Sequence, residues 1–292
     1  MKIRKAVVTA AGYGTRFLPM SKAIPKEMLP IIDKPVIQYV IEGLAKAGIE
    51  QIILVTGWHK RAIEDHFDRH LELEQKLKEN GKEEQLAAII KLSEMVEIVS
   101  VRQKVANGNG GAILAAKNVV GNEPFIVMWG DDFIIADPLQ ATQLIQAFEK
   151  YQTTILGGVT TTNPDDAKKY GFAGGEEIEP GVIKVKKFVE KPKWEERPSN
   201  LAIVSGFVFT PEIFDALESY QPEEGKELVY VDGVNELVKR GREAYAIEIK
   251  NARYYNCGDV TEYLKTNVEM ALKRDDIKDE FGQFIKETAE KL

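Results

Sequence analysis

The chain has 292 residues, 44% apolar and 29% charged, with a formal net charge of −7. That is the make-up of one large α/β domain or two smaller ones, and the acidity sets nucleic-acid binding aside. One cysteine, Cys257, excludes an intrachain disulfide, and no apolar run approaches the roughly 20 residues of a membrane span, so a cytoplasmic protein without a membrane partner is expected.

The first half alternates strand-like and helix-like runs. The runs 5–11, 51–57, 97–103 and 124–132 are short, β-branched and bounded by polar residues or glycine, which predicts buried strands. Between them, 36–48, a long charged run at 59–92, and 110–121 read as helices. Such alternation predicts a mostly parallel sheet covered on both faces. The second half is mixed: strands near 153–162, 182–190, 201–210 and 244–250, and helices near 211–221 and 231–240. Two C-terminal helices, 259–274 and 277–291, close the chain. With no repeat or linker, the reading is a single domain over 1–292, with 259–292 as a helical extension.

Ligands of parallel sheets sit beyond the carboxyl ends of the strands. The loop after 5–11, the segment after 97–103 and the "GDD" that ends 124–132 should therefore converge. The first loop, "TAAGYGTRFLPMSKAIPKEMLP" (9–30), carries Gly12, Gly14 and Thr15, and the cations Arg16, Lys22 and Lys26. It begins like a dinucleotide fingerprint, but a third glycine is missing, and Pro19 and Pro25 interrupt the helix that a nicotinamide site requires. The GK[ST] ending of a Walker loop is absent too. What remains is a phosphate cradle: glycines let backbone N–H groups approach an anion, and Arg16 and Lys26 neutralise it.

The same stretch resembles the signature of sugar-1-phosphate nucleotidyltransferases, and "SKAIPKEMLP" looks most like the bacterial UTP–glucose-1-phosphate uridylyltransferases. The similarity continues through "WHKRAIEDHFD" (58–68), "VRQ" (101–103), "VEKP" (189–192), "PSNLAIV" (198–204) and "YLKTNVEMAL" (263–272). It implies a Rossmann-like nucleotidyltransferase fold: an α/β, mostly parallel mixed sheet flanked by helices, with C-terminal helices. It also implies UTP and glucose 1-phosphate as substrates, Mg2+ as cofactor, UDP-glucose and pyrophosphate as products, and a homo-oligomer, dimer or tetramer. Arg16 and Lys26 would stabilise the departing pyrophosphate. Ala11 and Gly12 would lie against base or ribose, with Gln103 and Gly108 at the pyrimidine edge. Glu190 would hold sugar hydroxyls and Lys191 the sugar phosphate, while Asp131 and Asn256 would ligate the metal.

The sequence departs from that pattern in places. Asn256 stands where the family has a metal-binding Asp, and Asp259 or Asp132 could substitute. Gly111 replaces a His in "GNGGA" (108–112), "GKELVYVDGV" (225–234) keeps Glu227 and Asp232 but changes their neighbours, and Ser205 replaces a Gly. These leave open another sugar or nucleotide, such as dTTP, or a non-catalytic regulatory relative. His66 and His70 lie four apart in a predicted helix, but no third ligand is near, so a charged helical face is the expectation. Trp58, Trp129 and Trp194 read as packing residues.

Overall fold

The computed structural model describes residues 2–291. Its strands are β1 (Lys5–Ala10), β2 (Pro30–Ile31), β3 (Lys34–Pro35), β4 (Gln51–Thr56), β5 (Glu97–Arg102), β6 (Phe125–Trp129), β7 (Asp132–Ala136), β8 (Thr154–Thr160), β9 (Gly171–Glu179), β10 (Val182–Glu190), β11 (Leu201–Phe209), β12 (Ala244–Glu248) and β13 (Ala252–Asn256). Its helices are α1 (Val36–Lys46), α2 (Arg61–Phe67), α3 (Leu71–Glu79), α4 (Glu83–Ser93), α5 (Asn109–Ala115), α6 (Lys117–Val120), α7 (Gln140–Tyr151), α8 (Glu212–Ser219), α9 (Tyr230–Lys239), α10 (Val260–Ala271) and α11 (Lys278–Ala289). None is long and apolar enough to cross a membrane.

A nine-stranded sheet runs in the order β5-β4-β1-β6-β11-β8-β12-β10-β9, and β13-β7 and β2-β3 form small ribbons. Strands β5, β4, β1 and β6 are mutually parallel. The mixed sheet is as expected, but the mostly parallel character belongs to this half. Strand β11 is antiparallel to both β6 and β8, and β10 is antiparallel to β12 and β9.

The alternation of buried residues explains the layering. Ala6, Val8, Ile52, Leu54, Ile126 and Met128 pack toward α1 and α7, while Val7, Ile53, Val55, Phe125 and Val127 pack toward α5, α8 and α9. Successive side chains point to opposite faces, so apolar residues at every position require a strand covered on both. Each fully buried Ile, Val or Phe contributes about 1.5–3 kcal/mol of burial free energy.

Some elements differ from the sequence reading. The run 59–92 is not one helix but α2, α3 and α4. The first break is at Asp68, whose backbone is extended, and the second at Gly81 with φ of 64°. Strands β7, β9 and β13 and helix α7 were not expected. Strand β9 is disguised by Gly171, Gly174 and Gly175, yet a Cβ on Gly175 would stand 1.8 Å from the Lys184 carbonyl oxygen, so the close pairing with β10 excludes a side chain there.

Because β1, β4, β5 and β6 are parallel, their carboxyl ends deliver the following loops to one edge of the sheet. The loops beginning at Ala11, Gly57, Gln103 and Gly130 meet there.

Candidate active site

The loop after β1 does not continue into a helix. It folds as three single-turn 3-10 segments, Thr15–Phe17, Met20–Lys22 and Lys26–Met28, as its prolines dictate. Gly14 has φ of 66°, and its carbonyl accepts from the Ser21 hydroxyl at 2.7 Å. A Cβ on Gly12 would lie 4.0 Å from Lys26 Nζ, so the loop folds back to set its own cation against its first glycine.

That cation is held by charge. Lys26 Nζ donates to Asp131 Oδ2, in the turn after β6. Burial alone would lower the Lys26 pKa, but Asp131 and then Glu27 more than offset it, so the ammonium is held above its ordinary range. Behind it, Glu27 is 1% exposed and pairs with Lys60 Nζ at 2.6 Å. Burial raises the Glu27 pKa against the pull of Lys60 and Lys26. The sequence reading did not single out this second pair, because Lys60 belongs to the loop after β4 and only the sheet brings it to Glu27.

Ala11, Gly12, Gly14, Thr15, Lys26, Gln103, Gly108 and Asp131 line one cleft of about 530 Å3 with Tyr13, Trp129 and Glu227. The convergence expected from topology is therefore present. Gln103 donates through Nε2 to Asn107 Oδ1 at 3.0 Å and to the Gly108 carbonyl at 3.1 Å. Gly108 has φ of 104°, and a Cβ there would come within 2.2 Å of the Leu228 carbonyl oxygen, so this position admits only glycine. Trp129 packs on Phe207 and Tyr230 but also presents a surface to the cleft.

Arg16 lies outside the lining. It is exposed and donates to the Gly258 carbonyl at 3.3 Å, on the side where β13 ends. Asn256 ends β13 opposite Asp132 of β7. Its Nδ2 donates to the Tyr170 hydroxyl at 3.1 Å, and its Oδ1 accepts from the Gly258 N–H at 3.2 Å. A Cβ on Gly258 would stand 2.5 Å from Asp131 Oδ2 and 3.4 Å from Asn256 Oδ1. The two oxygens thus converge over a glycine that leaves the space between them clear.

The alternative acids do not join them. Asp259 caps α10, accepting from the Thr261 and Glu262 amides at 3.1 Å. Asp132 is buried and accepts from the Tyr254 hydroxyl at 2.8 Å, and its other oxygen has no hydrogen-bond partner among the described residues. Burial, then the Asp131 charge, raises the Asp132 pKa well above the ordinary range. Ser205 is also buried, 2% exposed, behind Trp129, so its departure from Gly does not face the cleft.

Glu190 and Lys191 sit at the end of β10, outside the cleft lining, with Lys191 Nζ 3.7 Å from Glu190 Oε1. Burial raises the Glu190 pKa against the opposing effect of Lys191. Tyr170 links this corner to Asn256: its carbonyl accepts from the Lys191 N–H at 3.2 Å, and its hydroxyl meets Asn256. Burial pushes the Tyr170 phenol to about 12, so it stays neutral. No local motif marks Tyr170.

The histidines are unrelated to the site. His66 bonds Gln38 at 3.0 Å, and His70 caps α3 by accepting from Leu73 N–H. Among the described residues, no group of three or more His, Cys, Asp or Glu could hold a metal ion.

Comparison with known proteins adds to this geometry. The UTP–glucose-1-phosphate uridylyltransferase of Staphylococcus epidermidis is 44% identical over 286 residues, covering 98% of each chain. A relative of that name from Staphylococcus saprophyticus is 45% identical, covering 98% of this chain and 99% of its own. Among solved structures, a UTP-bound UGPase from Acinetobacter baumannii superposes with a TM-score of 0.89 at 34% identity, covering 98% and 99% of the two chains. A UDP-glucose pyrophosphorylase complexed with UDP-glucose superposes with a TM-score of 0.83 at 39% identity, covering 93% and 100%. The Nucleotidyl transferase family matches residues 5–273, and on that match and these relatives the chain belongs to the nucleotidyl transferase family.

Proposed function

We propose that this enzyme transfers the uridylyl group of UTP to glucose 1-phosphate, giving UDP-glucose and pyrophosphate. The observation that carries the reading is the single cleft in which a glycine-rich backbone, Lys26, Gln103 and Asp131 converge, in a chain 44% identical to UTP–glucose-1-phosphate uridylyltransferases over nearly its whole length.

The reaction needs neither a general base nor a covalent intermediate, because the nucleophile is already an anion. A phosphate oxygen of glucose 1-phosphate attacks the α-phosphorus of UTP in line. The new P–O bond forms as the bridging bond to the β-phosphorus breaks, and pyrophosphate departs with that electron pair. The protein's task is alignment and charge neutralisation. The loop from Ala11 to Thr15 would run beside the nucleotide. Lys26, now held by Asp131, would gain phosphate oxygens as a second partner. Arg16 would turn from Gly258 toward the leaving pyrophosphate. Lys191 would receive the phosphate of the incoming sugar, and Glu190 its hydroxyls.

Mg2+ is usually held by one or two carboxylates together with substrate phosphates and water. Asp131 Oδ2 and Asn256 Oδ1 fit that donor set, since both are oxygens that converge over Gly258. When bound, the ion would supply charge neutralisation at the triphosphate. Asn brings no formal charge, so this chain would hold the ion more weakly than a two-Asp relative.

The test is a matrix of nucleoside triphosphates against sugar 1-phosphates, read by pyrophosphate release. UTP with glucose 1-phosphate should give the highest kcat/KM. A better rate with another pair would correct the specificity, and no release from any pair would favour a non-catalytic role.

A further inference from the structure

We infer that Asn107 is a specificity-determining residue: together with the Gly108 carbonyl it engages both protons of the Gln103 amide, so that only its carbonyl oxygen is offered to the base, selecting a pyrimidine that carries N3–H. The inference deepens the proposed function and rests on its placement of Gln103 at the pyrimidine edge.

A glutamine amide can present either a donor or an acceptor, so Gln103 alone cannot tell uracil from cytosine. The two bases differ there: uracil N3–H donates, and cytosine N3 accepts. In this chain the choice is already made. The Gly108 carbonyl is only an acceptor, so the amide end beside it, at 3.1 Å, must be the NH2 group. Asn107 Oδ1 accepts the second proton of that group at 3.0 Å. With both protons engaged, Oε1 has no hydrogen-bond partner among the described residues, so Gln103, which lines the cleft, is left with an acceptor to offer.

The lock is itself fastened. The Asn107 carbonyl accepts from the Leu228 N–H, and its own N–H donates to the Val105 carbonyl, each at 2.9 Å. Its side chain occupies space that exists only because residue 111 is glycine. A Cβ on Gly111 would lie 1.8 Å from Asn107 Oδ1. The replacement of His by Gly at 111 thus acquires a physical reason, since the vacated space holds the residue that orients Gln103.

Gly111 offers an independent handle. It sits in α5 and has no positive φ, so alanine suits the backbone there. The added methyl must displace Asn107, the movable end of a side chain. Steady-state kinetics would compare UTP with CTP, which share ribose and triphosphate, in the native enzyme, Asn107→Ala, Gly111→Ala and the double variant. The native enzyme should prefer UTP. Asn107→Ala should lower the UTP:CTP ratio of kcat/KM about tenfold, the size of one lost oriented hydrogen bond, mainly by raising KM for UTP. Gly111→Ala should reproduce that shift with an unchanged Tm, and the double variant should be no worse than Asn107→Ala. Variants that keep the native ratio would overturn the inference, as would additive effects in the double variant. A native enzyme that uses CTP as well as UTP overturns it too but leaves nucleotidyl transfer standing. If UTP and glucose 1-phosphate release no pyrophosphate, the proposed function falls. Calorimetric titration of UTP and CTP into the same four proteins then decides the base preference without turnover.

Discussion

At the wall of the cleft proposed for the nucleotide, Gln103 and Asn107 are tied to each other and to backbone groups at 2.8–3.1 Å. At the end of β10, outside the cleft lining, where the sugar phosphate is proposed to bind, the Lys191 ammonium lies 3.7 Å from Glu190, and 53% of its side chain is exposed. The first corner is assembled before a ligand arrives. The second holds charge in water, and a bound anion would have to order it. Preorganised groups lose little entropy on binding, whereas a mobile lysine must be ordered by its ligand. Lys26 stands between these extremes, with 20% of its side chain exposed and its ammonium held by Asp131.

The hardest blow to the contrast is Asp131→Ala. It removes the partner of Lys26 and the one carboxylate of the proposed metal corner, so kcat should fall by about 10^3-fold or more. Pyrophosphate release at saturating Mg2+ measures it, and a variant with a tenth of native turnover would remove Asp131 from the mechanism.

Next comes the separation of the two lysines. Lys26→Met, which keeps the packing of the stem, should raise KM for UTP about tenfold, and Lys191→Met should do the same for glucose 1-phosphate. Equal shifts in one Michaelis constant would dissolve the distinction between corners.

A subtler effect is expected at Asn256. Asn256→Asp adds a charge at the proposed metal position, and the Tyr170 hydroxyl can donate to the new carboxylate as readily as it now accepts. The Mg2+ concentration for half-maximal activity should fall about threefold. An unchanged midpoint in a Mg2+ titration would place Asn256 outside the metal shell.

The smallest effect tests the scaffold beneath that corner. Glu269 on α10 accepts from the Tyr255 hydroxyl at 2.7 Å and pairs with Arg253 and Lys273, tying α10 to β13. Its pKa is lowered from 4.5 to about 2, first by the Lys273 hydrogen bond. A depressed folded-state value stabilises the fold above the unfolded value and loses that effect as pH falls through the folded one. Glu269→Gln should therefore lower Tm by about 1–3 °C at pH 7. The gap should close as pH drops from about 4.5 toward 2. A gap that does not vary with pH would show that the contact acts by packing alone.

Much of the corner proposed for the nucleotide is legible in the sequence. Gly12, Gly14, Lys26 and Asp131 follow buried strands and Gln103 follows the part-exposed edge strand β5, and parallel strands must send such loops to one edge. The prolines at 19 and 25 likewise dictated short turns in place of a helix. Less was legible where backbones pair at a distance. Glycines hid β9, and α7 escaped notice although Gln140, Ala141, Leu144 and Phe148 recur on one buried face. Asp132 and Asp259 were plausible ligands by composition. Burial beside Tyr254 and capping of α10 assign them elsewhere, and neither could be read from neighbours in the chain.

By itself, then, the sequence determined the alternation of strands and helices, the layered sheet and the set of loops at its carboxyl edge. Burial of β-branched runs and the backbone limits of glycine and proline act over a few residues. Only the tertiary structure decided the rest: that Lys60 reaches Glu27, that Tyr170 meets Asn256, and that Asn107 fills the space over Gly111 to turn Gln103. Those contacts depend on distances between segments far apart in the chain. A shift of one or two ångströms there makes or breaks a hydrogen bond without altering any local pattern of residues.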